Sequence, residues 1–122
     1  MKIAPFLQIE QLEMTFPGED GGLTALKDLT LSLASQEFVC VLGPSGSGKS
    51  TLLRVLAGLL EPTSGTVHFA PTNGSGRPPR ISLVFQQANL MPWRTAIENI
   101  TLPLELKGVE LPEARSRARE WI

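Results

Sequence analysis

The chain has no tyrosine, one cysteine and one histidine in 122 residues, and its only aspartates are Asp20 and Asp28. A lone cysteine, Cys40, excludes a disulfide within the chain and suits a reducing cytoplasm. Its place in an apolar run reads as a small core side chain. His68 has no second metal-type ligand near it in sequence, so it reads as a partly exposed strand residue. A strong charge of either sign is also missing: 11 basic against 12 acidic residues give a net charge of −1. That balance supplies no broad attraction to nucleic acid. No apolar run approaches the ~20 residues needed to span a bilayer. Gln8 and Glu10 interrupt the N-terminal apolar stretch before a signal-peptide core could form, so the chain is expected to stay in the compartment where it is made. With 42% hydrophobic and 19% charged residues, disorder is not indicated and one globular domain at most is expected.

What is present is concentrated in Gly43-Pro44-Ser45-Gly46-Ser47-Gly48-Lys49-Ser50-Thr51. This stretch fills every position of the phosphate-binding pattern Gly-x4-Gly-Lys-Ser/Thr. Glycines let the main chain turn tightly and bring successive N–H groups onto phosphate oxygens. Lys49 is suited to the β/γ-phosphates and the Ser50 hydroxyl to Mg²⁺. The bland alternative is a Gly/Ser-rich turn. Context argues against it, since the apolar run 37–42 reads as a strand buried on both faces of a parallel sheet. Beyond the loop, Leu52, Val55, Leu56, Leu59 and Leu60 recur at helical spacing. A helix there aims its N-terminal dipole at the same phosphates.

Elsewhere the pattern predicts a first strand in which Leu7 and Ile9 alternate with polar residues. The phase then slips to Leu12, Met14 and Phe16, implying a bulge near Gln11. Pro17 to Gly22 reads as a loop. Leu29, Leu31 and Leu33 form a second, half-buried strand, followed by a turn at Ser35-Gln36. Glu61 to Gly65 reads as a turn, Thr66 to Phe69 as a strand, and Pro71 to Arg80 as an exposed connection. Ile81 to Phe85 is a second buried-type strand, running into Gln86-Gln87. Thr95 and Glu98 make a capping box, predicting a helix with Ile97 and Ile100 facing inward. Pro112 opens a last helix, with Ala114, Ala118, Trp121 and Ile122 on one face and a Glu113–Arg117 pair on its surface. Arg115, Arg117 and Arg119 read as a solvated face.

With the phosphate loop, the glutamine at the strand end and the Pro92-Trp93 segment placed, the chain resembles the ATP-binding-cassette (ABC) family of transporter ATPases over nearly all its length. Leu83 to Thr95 looks most like the branch serving nitrate, sulfonate and taurine importers. The resemblance implies an α/β, partial P-loop NTPase fold: a mixed sheet with N-terminal antiparallel strands, and the start of a helical subdomain at about 95–122. Residues 1–122 would form the front part of one ATPase domain. Positions 43–51 match the Walker A loop, whose Gly43, Ser45, Gly46, Ser47, Gly48, Lys49, Ser50 and Thr51 hold ATP. Gln86 opens the Q-loop at 86–93 and matches the glutamine that reaches Mg²⁺ and the attacking water. Lys49 and Gln86 are thereby the catalytic candidates, and Ser50 and Gln86 the metal candidates. Phe16 matches the aromatic that stacks on adenine, for which the ring face suffices. Taken alone, a Phe there would more often be core. Leu90, Met91 and Trp93 fall in the segment that meets a membrane-embedded permease subunit, though they could instead cover the domain's own core. A second ATPase subunit and a position on the cytoplasmic face of the membrane are also implied.

Two departures from the family pattern stand out. Gln36 occupies a turn position where the family usually has glycine. No aspartate follows the phosphate loop, so no later strand ends in the acidic pair that would hold Mg²⁺, and neither the family's signature sequence nor its switch histidine occurs. The expectation is therefore nucleotide binding with hydrolysis near background, because phosphoryl transfer relies on several charged groups acting together. A non-catalytic nucleotide-binding module, a soluble P-loop kinase and a cassette protein acting on DNA remain as alternative readings.

Overall fold

The computed structural model describes residues 5–19, 21–71 and 79–122. Asp20 and most of the Pro71–Arg80 connection lie outside them. The chain divides into two compact units, Met1–Leu83 and Val84–Ile122.

In the first unit, β1 (Leu7–Phe16) lies between β2 (Leu23–Leu33) and β3 (Ser64–Phe69) in an antiparallel sheet of order β2-β1-β3. The phase slip in β1 is a real bulge. Ile9 faces Leu31 and Leu12 faces Leu29, so β1 uses one residue more than its partner. Gln11 takes a φ of 46° there, and its N–H donates to the Thr30 hydroxyl at 3.1 Å. A second irregularity compensates: between Leu29 and Leu26 the extra residue is in β2, where Asp28 also has a φ of 46°. The two shifts keep Ile9, Leu12, Met14 and Leu26 on the covered face, all of them buried. A one-residue slip left uncorrected would turn each of these side chains to the opposite face.

The cover is α1 (Lys49–Leu56), whose Leu52 and Val55 join Leu7, Ile9, Leu12, Met14 and Leu26 in one cluster. Each such burial is worth about 1.5–3 kcal/mol. Phe6 and Phe69 pack edge to face at 6.0 Å beside the cluster. Exposed in β3, His68 pairs with Gln8 of β1.

Two predicted strands are not formed. Residues 37–42 and 81–85 carry no strand pairing, and every described strand is antiparallel. Phe38 is 90% exposed and Val84 92%. A strand buried on both faces needs a hydrogen-bonding neighbour and covering layers, and no described element supplies them to either run. Cys40, expected in the core, is consequently exposed.

The second unit pairs α2 (Ala96–Glu105) with α3 (Leu111–Arg119). Thr95 and Glu98 form the predicted capping box. The most buried residue of α2 is Thr101, at 1% exposure, whereas Ile97 and Ile100 are half-buried. The Thr101 hydroxyl is satisfied by the Glu98 carbonyl at 3.2 Å and the Glu105 carboxylate at 2.7 Å. On α3, Ala114 and Ala118 are fully buried and Glu113 pairs with Arg117. Trp121 and Ile122 do not share that buried face, because the helix ends at Arg119 and both are exposed beyond it.

Candidate nucleotide site

The phosphate-type loop enters α1 through Gly48, the residue preceding the first helical turn, with φ 87° and ψ 0°. An L side chain at this position would be strained on two counts. Its backbone is left-handed, and an added Cβ would lie 2.4 Å from the Ala25 carbonyl oxygen of β2. Glycine thus lets the loop press against the sheet that carries α1. Gly46 shares the left-handed conformation, with φ 80°. The Ser47 N–H closes a turn onto the Pro44 carbonyl at 3.3 Å.

The first N–H groups of a helix have no intrahelical acceptor. At α1 no side chain caps them and no acidic residue lies in the first turn. An anion is the natural complement of such an end. The Lys49 ammonium stands over the loop, donating to the carbonyls of Gly43 at 2.9 Å and Pro44 at 2.6 Å and to the Ser47 hydroxyl at 3.2 Å. Ser45 and Ser50 are exposed, and Thr51 is half-buried. Phosphate fits this arrangement: bare N–H groups, one cation and hydroxyls on a loop too tight for side chains at its turns.

Phe16 ends β1 opposite Leu23 and packs half-buried beside the core cluster. Gln86 lies exposed in a bend at the start of the second unit. Leu90 and Trp93 are exposed and Met91 is half-buried. Among the described residues no group of three His, Cys, Asp or Glu side chains is placed to hold a metal ion, and no helix is long and apolar enough to cross a membrane. Hydroxyl and amide oxygens such as those of Ser50 and Gln86 are the donor type that Mg²⁺ accepts.

Sequence reasoning missed how the loop before α2 is held. Asn99 bonds three of its residues, and Arg94 pairs with Glu105 at 3.2 Å. The available signal was an asparagine inside a helix, where that residue is disfavoured unless its amide bonds backbone.

The ABC transporter family pattern matches residues 26–122. The chain belongs to the ABC transporter family. This ABC transporter chain is 42% identical over 116 residues to the nitrate import ATP-binding protein NrtD of Synechocystis, covering 95% of itself and 44% of that protein. It is also 42% identical over 113 residues to the taurine import ATP-binding protein TauB of Burkholderia pseudomallei, covering 91% of itself and 43% of the relative. It therefore spans less than half the length of these relatives. Among solved structures, the dimeric post-hydrolysis ATP-binding cassette MJ0796 bound to ADP and Pi superposes with a TM-score of 0.77 at 35% identity. That match covers 93% of this chain and 54% of the other. The P-loop fold of the ABC ATPases is thereby established for this chain. The described part of that fold is the three-stranded antiparallel sheet and three helices.

Proposed function

We propose that this chain is the nucleotide-binding part of an ABC importer subunit, using MgATP binding and hydrolysis to drive solute across a membrane. The observation that carries the proposal is the loop itself. Its uncapped helix N-terminus, left-handed glycines and overlying Lys49 ammonium fit a phosphate chain.

In this reading the N–H groups at 46–51 hold the β- and γ-phosphates, and Lys49 exchanges its bonds to Gly43 and Pro44 for phosphate oxygens. Bound Mg²⁺ would neutralise phosphate charge, held by Ser50 and reached by Gln86. Gln86 suits the task because its amide oxygen accepts while its NH₂ donates to a water or the main chain. Phe16 would lend a ring face to adenine. Leu90, Met91 and Trp93 would meet a membrane-embedded permease subunit from the cytoplasmic face, with a second ATPase subunit completing the assembly. Likeness to nitrate and taurine import ATP-binding proteins supports an importer of the nitrate, sulfonate and taurine branch. For residues 1–122 alone, we propose nucleotide binding with turnover near background.

Turnover tests the proposal. The intact protein assembled with its membrane subunit should hydrolyse MgATP, and Lys49→Ala should abolish the activity. Hydrolysis that survives this substitution would remove the loop from the mechanism. Robust hydrolysis by residues 1–122, lost in Lys49→Ala, would refute the inactive-fragment reading.

A further inference from the structure

Residues 90–95 combine large apolar side chains in the open with a main chain held at many points. Trp93 is 77% exposed and Leu90 63%. Yet the Asn99 Oδ1 accepts the Met91 N–H at 2.7 Å, while its Nδ2 donates to the carbonyls of Met91 at 3.2 Å, Arg94 at 3.2 Å and Thr95 at 3.0 Å. The amide cannot be turned over without setting its oxygen against three carbonyls, so its orientation is dictated by its surroundings. The Arg94 N–H closes the turn by donating to Met91 at 3.0 Å. The Arg94 guanidinium reaches α2 through the Glu98 carbonyl and the Glu105 carboxylate.

We infer that Asn99 is the positioning residue that fixes the Met91–Thr95 loop on α2, so that Trp93 meets its partner on a surface already built. This inference rests on the docking role proposed above for Leu90–Trp93. Its physical content is pre-organisation. A loop ordered before contact loses less conformational freedom on binding, and an aromatic anchor then contributes more of its contact energy. Only Asn or Gln side chains combine an acceptor with two donors on one planar group, and glutamine adds a methylene that would displace both.

Amide hydrogen exchange tests the ordering directly. Alanine is the strongest helix former, so Asn99→Ala leaves α2 intact by intrinsic preference. It should speed exchange at Met91 by about 5-fold or more, the ratio that one net hydrogen bond is worth. The Leu106 amide, bonded within the C-terminal turn of α2, should be unchanged. Asn99→Asp keeps an acceptor for Met91 but sets a carboxylate oxygen against three carbonyls, so it should also speed Met91 exchange. Equal Met91 exchange in all three forms overturns the inference. In the intact transporter, Trp93→Ala and Asn99→Ala should both lower coupled turnover. If Trp93→Ala impairs it while Asn99→Ala matches wild type, the positioning claim fails and the docking reading stands. If Trp93→Ala matches wild type, the docking reading fails, and with it the purpose assigned to Asn99.

Discussion

The Lys49 ammonium donates to the Pro44 carbonyl at 2.6 Å, so the side chain offered to a phosphate also closes the loop that would receive it. These bonds are exposed to water, which screens such surface charge interactions to about 0–1 kcal/mol. Lys49→Ala should therefore shift the thermal unfolding midpoint only slightly while lowering nucleotide affinity by about 10-fold or more. A melting curve with and without the substitution checks this separation of binding from folding.

Gly48→Ala should behave in the opposite way. The left-handed backbone alone costs about 1–2 kcal/mol for a non-glycine residue. The approach of the Ala25 carbonyl, 2.4 Å from an added Cβ, would also force the loop off β2. Denaturant unfolding should show a loss of at least ~2 kcal/mol from these combined sources, and nucleotide binding should fall with it. Wild-type stability would mean that the loop is free to move away from the sheet.

Gln36 has a φ of 64° in the turn after β2. Replacing it by glycine should stabilise the chain by about 0.5–1 kcal/mol, the left-handed penalty less the added backbone entropy of the unfolded state. A rise in the urea midpoint at unchanged slope is the expected reading. The departure from the family's glycine seen in the sequence is thus a departure in stability.

Local signals were read well from sequence where one residue's chemistry decides the backbone. The shift from Ile9 to Leu12 announced the bulge at Gln11, and Thr95 with Glu98 announced the cap of α2. The first half of β2 was hidden, because the irregularity at Asp28 breaks the alternation that Leu29, Leu31 and Leu33 display. Runs 37–42 and 81–85 show the limit of hydrophobic pattern: an apolar run encodes a demand for cover and says nothing of what provides it. The glycine and lysine positions of the candidate phosphate loop stand out in sequence because left-handed turns favour glycine and a phosphate calls for a cation. The Asn99 network does not, since four bonds to one side chain depend on a loop conformation that no residue spacing records.

Acid should loosen the loop before α2. Glu98 is held below its ordinary value of 4.5 by the Thr95 backbone N–H and then by the Thr95 hydroxyl. Glu105 is lowered first by Thr101 and then by Arg94. A carboxylate whose folded value is depressed contributes stability that is present above its unfolded value and lost as pH falls through the folded one. Helix content at α2 should therefore hold at neutral pH and decline below about 4.5. Thr95→Ala should raise the Glu98 titration, followed by NMR, only part of the way, because the backbone N–H at position 95 remains, and the lost cap should cost about 1 kcal/mol.

Nucleotide binding at the Gly43–Thr51 loop is the claim on which the rest depends, and a MgATP titration of the wild-type chain beside Lys49→Ala tests it most directly. The account predicts saturable binding by the wild type and a loss of about 10-fold or more in Lys49→Ala, the equivalent of 1.4 kcal/mol from one charge-assisted contact. Equal binding by the two chains would contradict it.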